Sequence, residues 1–535
     1  MKPWPLLFLL SLLLISCRPE LPPVQITVMA TAEIPPVLAT AFASQTVAEN
    51  AQPASEPSAP TAEQPAATGD VPVAATAVPL PTQPAYVGTP TPDPPHTAAD
   101  ALPTAPHTVA AGETLAYIAQ LYNSSVEELV RTNNLTSADT LIVGQQLSIP
   151  TAASAALVSP NLKLIPDSEV VYGPSARGFN VRQFLGRTNG HLLRVEDTIE
   201  GRRLAGPEVV ELVALRYSVH PRLLLAMLEY RTGWVSQAES TVQSDYFMGK
   251  GQASYGGLYQ QLGWAADQIN QGYYGRAEGG ITSFLVVGDG SRVSFHPEIN
   301  DGTAAVQTWL AAHDSANYGR WTQEVGLTGF YTTYGRLFGN PFAYTYDPLW
   351  PEPITQPPLI LPFEKGVPWY LTGGPHGGWA SGSAWASLDF APDAELRGCY
   401  LSEQWLTAAA PGQVIFSDMG GVLLDLDGDG FVGTGWVIVY WHVDSTERIP
   451  TGSVVQAGDR LGRASCEGGY SNGTHVHFAR RYNGRWVSAD GSTPFNLDGW
   501  VSSGLGREYD GLLTRNGITK EACVCAEDIN ELVRE

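Results

Sequence analysis

Positive charge is scarce in this chain. Its 30 lysines and arginines stand against 53 aspartates and glutamates, a formal net charge of −23 over 535 residues. Such a surface repels a phosphate backbone, which excludes nucleic acid as the expected partner. Apolar runs long enough to span a bilayer are missing beyond the first 17 residues, so no downstream membrane helix is expected. Histidine is rare, ten in all, and cysteine rarer, five in all. Scarcity makes any local clustering of either informative. The length exceeds one ordinary hydrophobic core and implies several domains joined by linkers.

What is present begins with Met1-Lys2 and an apolar stretch ending in Leu14-Ile15-Ser16-Cys17. One positive charge followed by a short apolar region reads as an export signal. The last four residues resemble a bacterial lipobox, which implies that residues 1–17 are a lipoprotein signal peptide and that acylated Cys17 anchors an exported chain to the membrane of the cell envelope. With Cys17 set apart, Cys399, Cys466, Cys523 and Cys525 remain. Disulfides are permitted in an exported protein. A Cys399–Cys466 bridge would close a loop of about 70 residues, worth about 4 kcal/mol in the chain-entropy model; the sequence offers no account of Cys523 and Cys525. Residues 18–105 are rich in Pro, Ala, Thr and Ser. They bury too little to fold and read as a disordered, semi-extended linker.

Order is expected from His107. A strand leads through Gly112-Glu-Thr-Leu115 into a helix that places Leu115, Ile118, Ala119 and Tyr122 on one face, with Thr114 as its N-cap. A second helix, Asn133-Asn-Leu135 and a closing strand in Gly144-Gln-Gln-Leu-Ser-Ile-Pro150 complete a βααβ unit over 106–151. These motifs resemble a LysM module, which implies binding to the glycan of peptidoglycan.

Residues 158–350 read as mainly α. Gly206-Pro207 and His220-Pro221 each open a helix, because proline is favoured in a first turn. The helix from Arg222 to Trp234 is apolar on most sides and should be buried. Together with Gly257–Trp264 and the helix around Thr303–Ala311, it resembles a lytic-transglycosylase or lysozyme-like domain. Such enzymes carry a glutamate followed by Ser-Gly at the end of the buried helix; Arg231-Thr232-Gly233 stands there instead. Arginine does not release a proton near neutral pH. Glu229, two positions away, is about 200° around the helix. The domain is expected to be non-catalytic.

After the Pro-rich break at 351–358, residues 359–505 are Gly-punctuated and read as mainly antiparallel β, with strands at 413–417, 422–424, 436–442, 460–462 and 475–478. Residues 506–535 read as a tail. Four of the ten histidines fall in this region. His475-Val-His477 is the most informative piece, since i and i+2 on a strand face the same way. Asp389 and His376 can complete a two-His, one-carboxylate zinc site with an open position for water. These residues, in Gly374-Pro-His376 and Ser387-Leu-Asp389, resemble the β-lytic branch of the lysostaphin-type metalloendopeptidases over roughly 362–487. The resemblance implies His376, Asp389 and His477 as metal ligands and His442 and His475 as catalytic residues. The commoner branch has a histidine four positions before the aspartate, where Trp385 stands here. Two imidazoles and a carboxylate leave zinc a net positive charge, enough to bring a bound water to a pKa of ~7. Histidines near their ordinary ~6.5 suit the accompanying proton transfers.

Asp425-Leu-Asp427-Gly-Asp429-Gly430 reproduces the first half of an EF-hand calcium loop, but Trp436 occupies the position of the bidentate glutamate. Calcium at Asp425, Asp427 and Asp429 and a plain hairpin turn both stay open. The expectation is a multidomain, cell-envelope zinc metalloendopeptidase that cleaves peptidoglycan cross-links. The alternative is a non-enzymatic peptidoglycan-binding or hydrolase-regulating lipoprotein.

Overall fold

A computed structural model describes residues 104–150, apart from 110–113, 123, 125, 134, 136–140 and 143, and then 157–350, 353–392 and 398–535. The expected signal peptide, Cys17 and most of the linker lie outside the described residues.

The glycan-module candidate is a two-stranded antiparallel sheet, Thr104–Thr108 with Gln146–Pro150, around helices Leu115–Leu121 and Val126–Thr132. Leu115, Ile118 and Ala119 are buried with Leu129, Leu147 and Ile149, as the helical spacing requires. Tyr122 is different. It is exposed, and its hydroxyl meets His107 Nδ1 at 3.0 Å.

The next region is mainly helical. Helix α1 (Gly206–Tyr217) starts where expected, with the Glu208 carboxylate accepting from the Ala205 N–H at 2.8 Å. Helix α2 (Pro221–Thr232) begins at His220, whose Nδ1 accepts from Arg222 N, and stops at Gly233, which has φ +71°. Residues Leu223 to Leu228 of α2 are all buried, and α3 (Leu258–Ala277) and α4 (Asp301–Ala311) complete the wall around it. The N-cap His220 is itself fully buried beside Glu169 and Arg222. Burial, opposed by Glu169 and assisted by Arg222, holds its pKa down at about 4. The unfolded chain therefore takes up a proton below its ordinary 6.5 that the folded chain refuses until about 4. Stability conferred by neutral His220 is complete above 6.5 and lost as pH falls toward 4, by roughly 3 kcal/mol. His220→Asn keeps the cap without the titration, so the wild-type minus variant difference in Tm should change steeply between those pH values and stay flat above them.

The C-terminal region is built on a nine-stranded sheet. Its strands are β1 (Pro368–His376), β2 (Ser387–Ala391), β3 (Gly412–Asp418), β4 (Gly421–Asp425), β5 (Trp436–Trp441), β6 (Val454–Val455), β7 (Val476–Tyr482), β8 (Arg485–Trp486) and β9 (Glu531–Val533). The order is β6-β3-β4-β5-β7-β2-β1-β9, with β8 on the end of β7, and every pairing is antiparallel. The Trp436–Trp441 run is apolar at successive positions because the sheet is covered on both sides. Ile438 and Tyr440 face one core; Val437, Val439 and Trp441 face the helical region and share its core. Polar contacts stitch the same interface. Arg481 donates to the carbonyls of Leu215 and Arg216 at the end of α1, Trp486 Nε1 donates to Tyr217 O, and Gly382 N donates to Asp267 Oδ1 at 2.7 Å.

Residues 506–535 are not a loose tail. Gly511–Arg515 and Ile518–Glu521 form a hairpin within a second, four-stranded sheet, and β9 pairs with the edge of β1. The turn is Asn516-Gly517, with φ of +51° and +80°. That dipeptide between alternating residues is a strong hairpin signal, overlooked because the segment is polar. The sulfurs of Cys399 and Cys466 lie at bonding distance with Cα atoms 5.7 Å apart, and those of Cys523 and Cys525 do so as well. Around the second pair, Asn530 Nδ2 donates to the carbonyls of Leu371, Cys523 and Cys525.

Candidate metal centre

Strand register builds the site. On β7, His477 stands directly opposite Asp389 of β2, and β1 runs beside β2 to end at His376. Directly opposed residues on adjacent strands have neighbouring side chains. His376 Nε2 comes within 3.2 Å of Asp389 Oδ1, His477 Nδ1 within 3.3 Å of the same oxygen, and the two nitrogens lie 3.0 Å apart. Gly373 pairs with Asp389 in the ladder, and a Cβ there would fall 2.9 Å from Asp389 Oδ2. Glycine is what the crowding allows.

The outer nitrogens fix the tautomers. His376 Nδ1 donates to Gly374 O at 2.8 Å, and His477 Nε2 to Gly378 O at 2.9 Å. The nitrogens turned inward then carry lone pairs. Asp389 Oδ1 is buried without a hydrogen-bond partner among the described residues. Three lone-pair atoms facing one another call for a cation. Donors about 2.0–2.1 Å from a tetrahedral ion sit about 3.3 Å apart, so the observed spacings suit zinc and this donor set fits it. Burial would raise the Asp389 pKa, but His376 and His475 hold it well below the carboxylate range. The carboxylate is therefore ionised and ready to ligate.

The other two expected residues are adjacent. His475 Nε2 lies 3.8 Å from Asp389 Oδ1, and the His442 and His475 rings have centroids 4.5 Å apart. Both point Nδ1 at a carbonyl, His442 to Glu467 O at 2.9 Å and His475 to Gly473 O at 2.7 Å. His442 departs from expectation in its acidity. Burial, then the facing His475 and His477, hold its pKa at about 3, so it is neutral throughout the physiological range. It also has φ +65°, a backbone state that costs a non-glycine residue energy and that recurs at functional sites.

Sequence reasoning missed Tyr509. Its ring stacks on His376 with centroids 4.2 Å apart and planes 20° from parallel. Its backbone is held by bonds to Gly374 N and Pro375 O, and Glu508 accepts from Gly377 N. The hairpin signal at Asn516-Gly517 would have placed this segment in the folded domain.

Asp425, Asp427 and Asp429 also come together. Their oxygens accept from the backbone of their own turn, and Asp429 pairs with Arg177 at 3.0 Å. In the helical region Glu229 is committed to structure: it accepts from the N–H groups of Val235 and Ser236 and pairs with Arg336 at 2.7 Å. Arg231 is buried against Glu324.

Comparison with known proteins finds matches to three separate stretches of the chain, the helical one to a LasA N-terminal domain where a lysozyme-like domain was expected. The profile "LysM domain" matches residues 107–150, "LasA, N-terminal domain" residues 163–351 and "Peptidase family M23" residues 402–489. The M23 match contains His442, His475 and His477; His376 and Asp389 precede it. Protease LasA of Pseudomonas aeruginosa (strain UCBPP-PA14) is 25% identical over 357 residues, covering 62% of this chain and 77% of that protein. The beta-lytic metalloendopeptidase of Lysobacter enzymogenes is 27% identical over 170 residues, covering 30% of this chain and 88% of that protein. Among solved structures, the M23 metalloprotease pseudoalterin is 28% identical, covering 33% of this chain and 98% of that one, with a TM-score of 0.27. Three separate stretches of the chain thus match the LysM, LasA N-terminal and peptidase family M23 domain models, and these matches together with its relatives support a zinc metalloendopeptidase.

Proposed function

We propose that this chain cleaves peptide bonds in the peptide cross-links of bacterial peptidoglycan, with His376, Asp389 and His477 holding zinc and His442 and His475 serving the reaction. The observation that carries the reading is the convergence of His376 Nε2, Asp389 Oδ1 and His477 Nδ1 beside two further imidazoles, downstream of a LysM domain. Zinc bound there supplies Lewis acidity toward a scissile carbonyl and acidifies water. The residues do the rest. His442, neutral and with its Nδ1 proton committed to Glu467 O, presents a lone pair at Nε2 that accepts a hydrogen bond from the attacking water. His475, the more exposed of the pair, carries the proton toward the leaving amine. The LysM domain raises the local concentration of cross-links by holding glycan nearby.

The test is the full chain on purified peptidoglycan. Soluble peptides bearing new amino termini should appear with zinc, vanish with a chelator and return when zinc is restored; wall binding without peptide release sinks the proposal. Two finer proposals accompany it. Acylation of Cys17 predicts that Cys17→Ser frees the protein from membranes. Calcium at Asp425, Asp427 and Asp429 predicts heat of Ca²⁺ uptake in calorimetry, and its absence leaves a plain turn.

A further inference from the structure

We infer that Arg216 and Glu200 of the helical domain are positioning residues for the peptidase histidines, so that the helical domain forms part of the working site. This rests on the catalytic roles proposed for His442 and His475. Arg216, the penultimate residue of α1, is fully buried, and its guanidinium touches the residues on which the loop that orients those histidines packs. On one side it lies over the rings of Trp379 and Trp441, at 4.9 and 5.3 Å. Trp379 follows Gly378, whose carbonyl receives His477 Nε2, and Trp441 precedes His442. On the other side Arg216 Nη2 reaches Met419 O at 3.3 Å and Glu200 at 2.8 Å.

Between these contacts runs the loop 466–473. Glu200 stands at the turn of the hairpin formed by Glu196–Ile199 and Arg202–Ala205, and its Oε1 accepts from Gly469 N at 2.8 Å. Gly469, with φ +96°, lies flat on Trp379; a Cβ there would fall 2.6 Å from that ring. The neighbouring Glu467–Gly468 backbone packs equally closely on Met419 and Gly420. Glu467 O receives the His442 Nδ1 proton, and Gly473 O that of His475. The Glu200 carboxylate therefore grips the loop at Gly469, while the buried Arg216 cation holds Trp379 and the Met419 carbonyl against which that loop packs, and the loop's own carbonyls set the imidazole tautomers. A carbonyl accepting from one ring nitrogen fixes tautomer and ring orientation, and losing such a partner of a metal-ligating histidine typically costs 10–100-fold.

The experiment uses the zinc-loaded full chain with ¹⁵N-labelled histidine. In the wild type, His442 should show a single Nδ1–H tautomer with a slowly exchanging ring proton. Glu200→Ala, at an exposed turn and with its fold checked by circular dichroism, should mix the tautomers and speed exchange of that proton about tenfold, with zinc content unchanged. Arg216→Lys should do the same and also hasten zinc loss to a chelator, because it frees Trp379 as well. Glu278→Gln, which removes an interdomain contact to Arg485 and Ser488 elsewhere, should leave the His442 signals as they are. Where peptide release is measured, Glu200→Ala should lower kcat about tenfold with KM retained. Identical His442 spectra in Glu200→Ala and wild type, or an unchanged or raised kcat, overturn the inference. An inactive wild type with the expected spectra counts against the proposed reaction alone.

Discussion

His477→Ala is expected to strip zinc from the full chain and to lower peptide release by about a thousandfold or more. The magnitude follows from chemistry that is lost together. A metal acting as Lewis acid contributes several kcal/mol of transition-state stabilisation, and each ~1.4 kcal/mol is tenfold in rate. The variant keeps His376 and Asp389, but two ligands rarely retain zinc where three protein ligands form the ordinary catalytic site. A stability readout separates metal loss from misfolding. Zinc binds the folded state, so a chelator should lower the Tm of the wild type and leave that of His477→Ala unmoved. His477 also lies at the centre of the sheet, paired with both Trp441 and Asp389, so the variant needs a circular dichroism check that the strands persist. A variant that retains stoichiometric zinc and full activity would remove His477 from the ligand set.

His442→Ala should leave zinc in place and still lower kcat by about 10²- to 10⁴-fold, the usual share of a positioned acid–base group. KM should change far less. The contrast with His477→Ala is diagnostic, because one loses metal and rate and the other rate alone. Since the His442 pKa is held at about 3, the acid limb of the wild-type pH–rate profile should not report it near 6.5. His442→Ala should therefore scale the profile down without moving that limb. The positive φ of His442 adds a second consequence. His442→Gly relieves backbone strain that alanine would keep, so the glycine variant should melt no lower than the alanine variant while being equally slow.

The individual pieces of the site were legible because their chemistry is local. His475-Val-His477 announces a shared face through the strand period alone, and the glycines before His376 mark a crowded strand. The β5 run, Trp436 to Trp441, announces a strand, but an apolar residue at every position also says that both faces are covered. The sequence does not say by what. Tyr509 was not legible because a polar, Gly-rich segment resembles a tail until the Asn516-Gly517 turn is taken as a hairpin. The acidity of His442 was hidden for a different reason. A pKa depends on burial and on which charges face the ring, and both are set by residues 25 or more positions away.

The sequence by itself pointed to separate glycan-module, helical and β-rich regions, to His376, Asp389, His442, His475 and His477 as candidate site residues, and to Cys466 as a candidate partner of Cys399. The regions follow from composition and periodicity, the shared face of His475 and His477 from strand period, and the full residue set from the resemblance to the β-lytic metalloendopeptidases. Only the tertiary structure decided that His477 stands opposite Asp389, that Tyr509 stacks on His376, and that Glu200 of the helical domain bonds Gly469 in the loop whose Glu467 carbonyl receives His442. These are contacts between residues far apart in the chain. They depend on strand register and domain docking, which follow from how whole apolar faces are buried against one another.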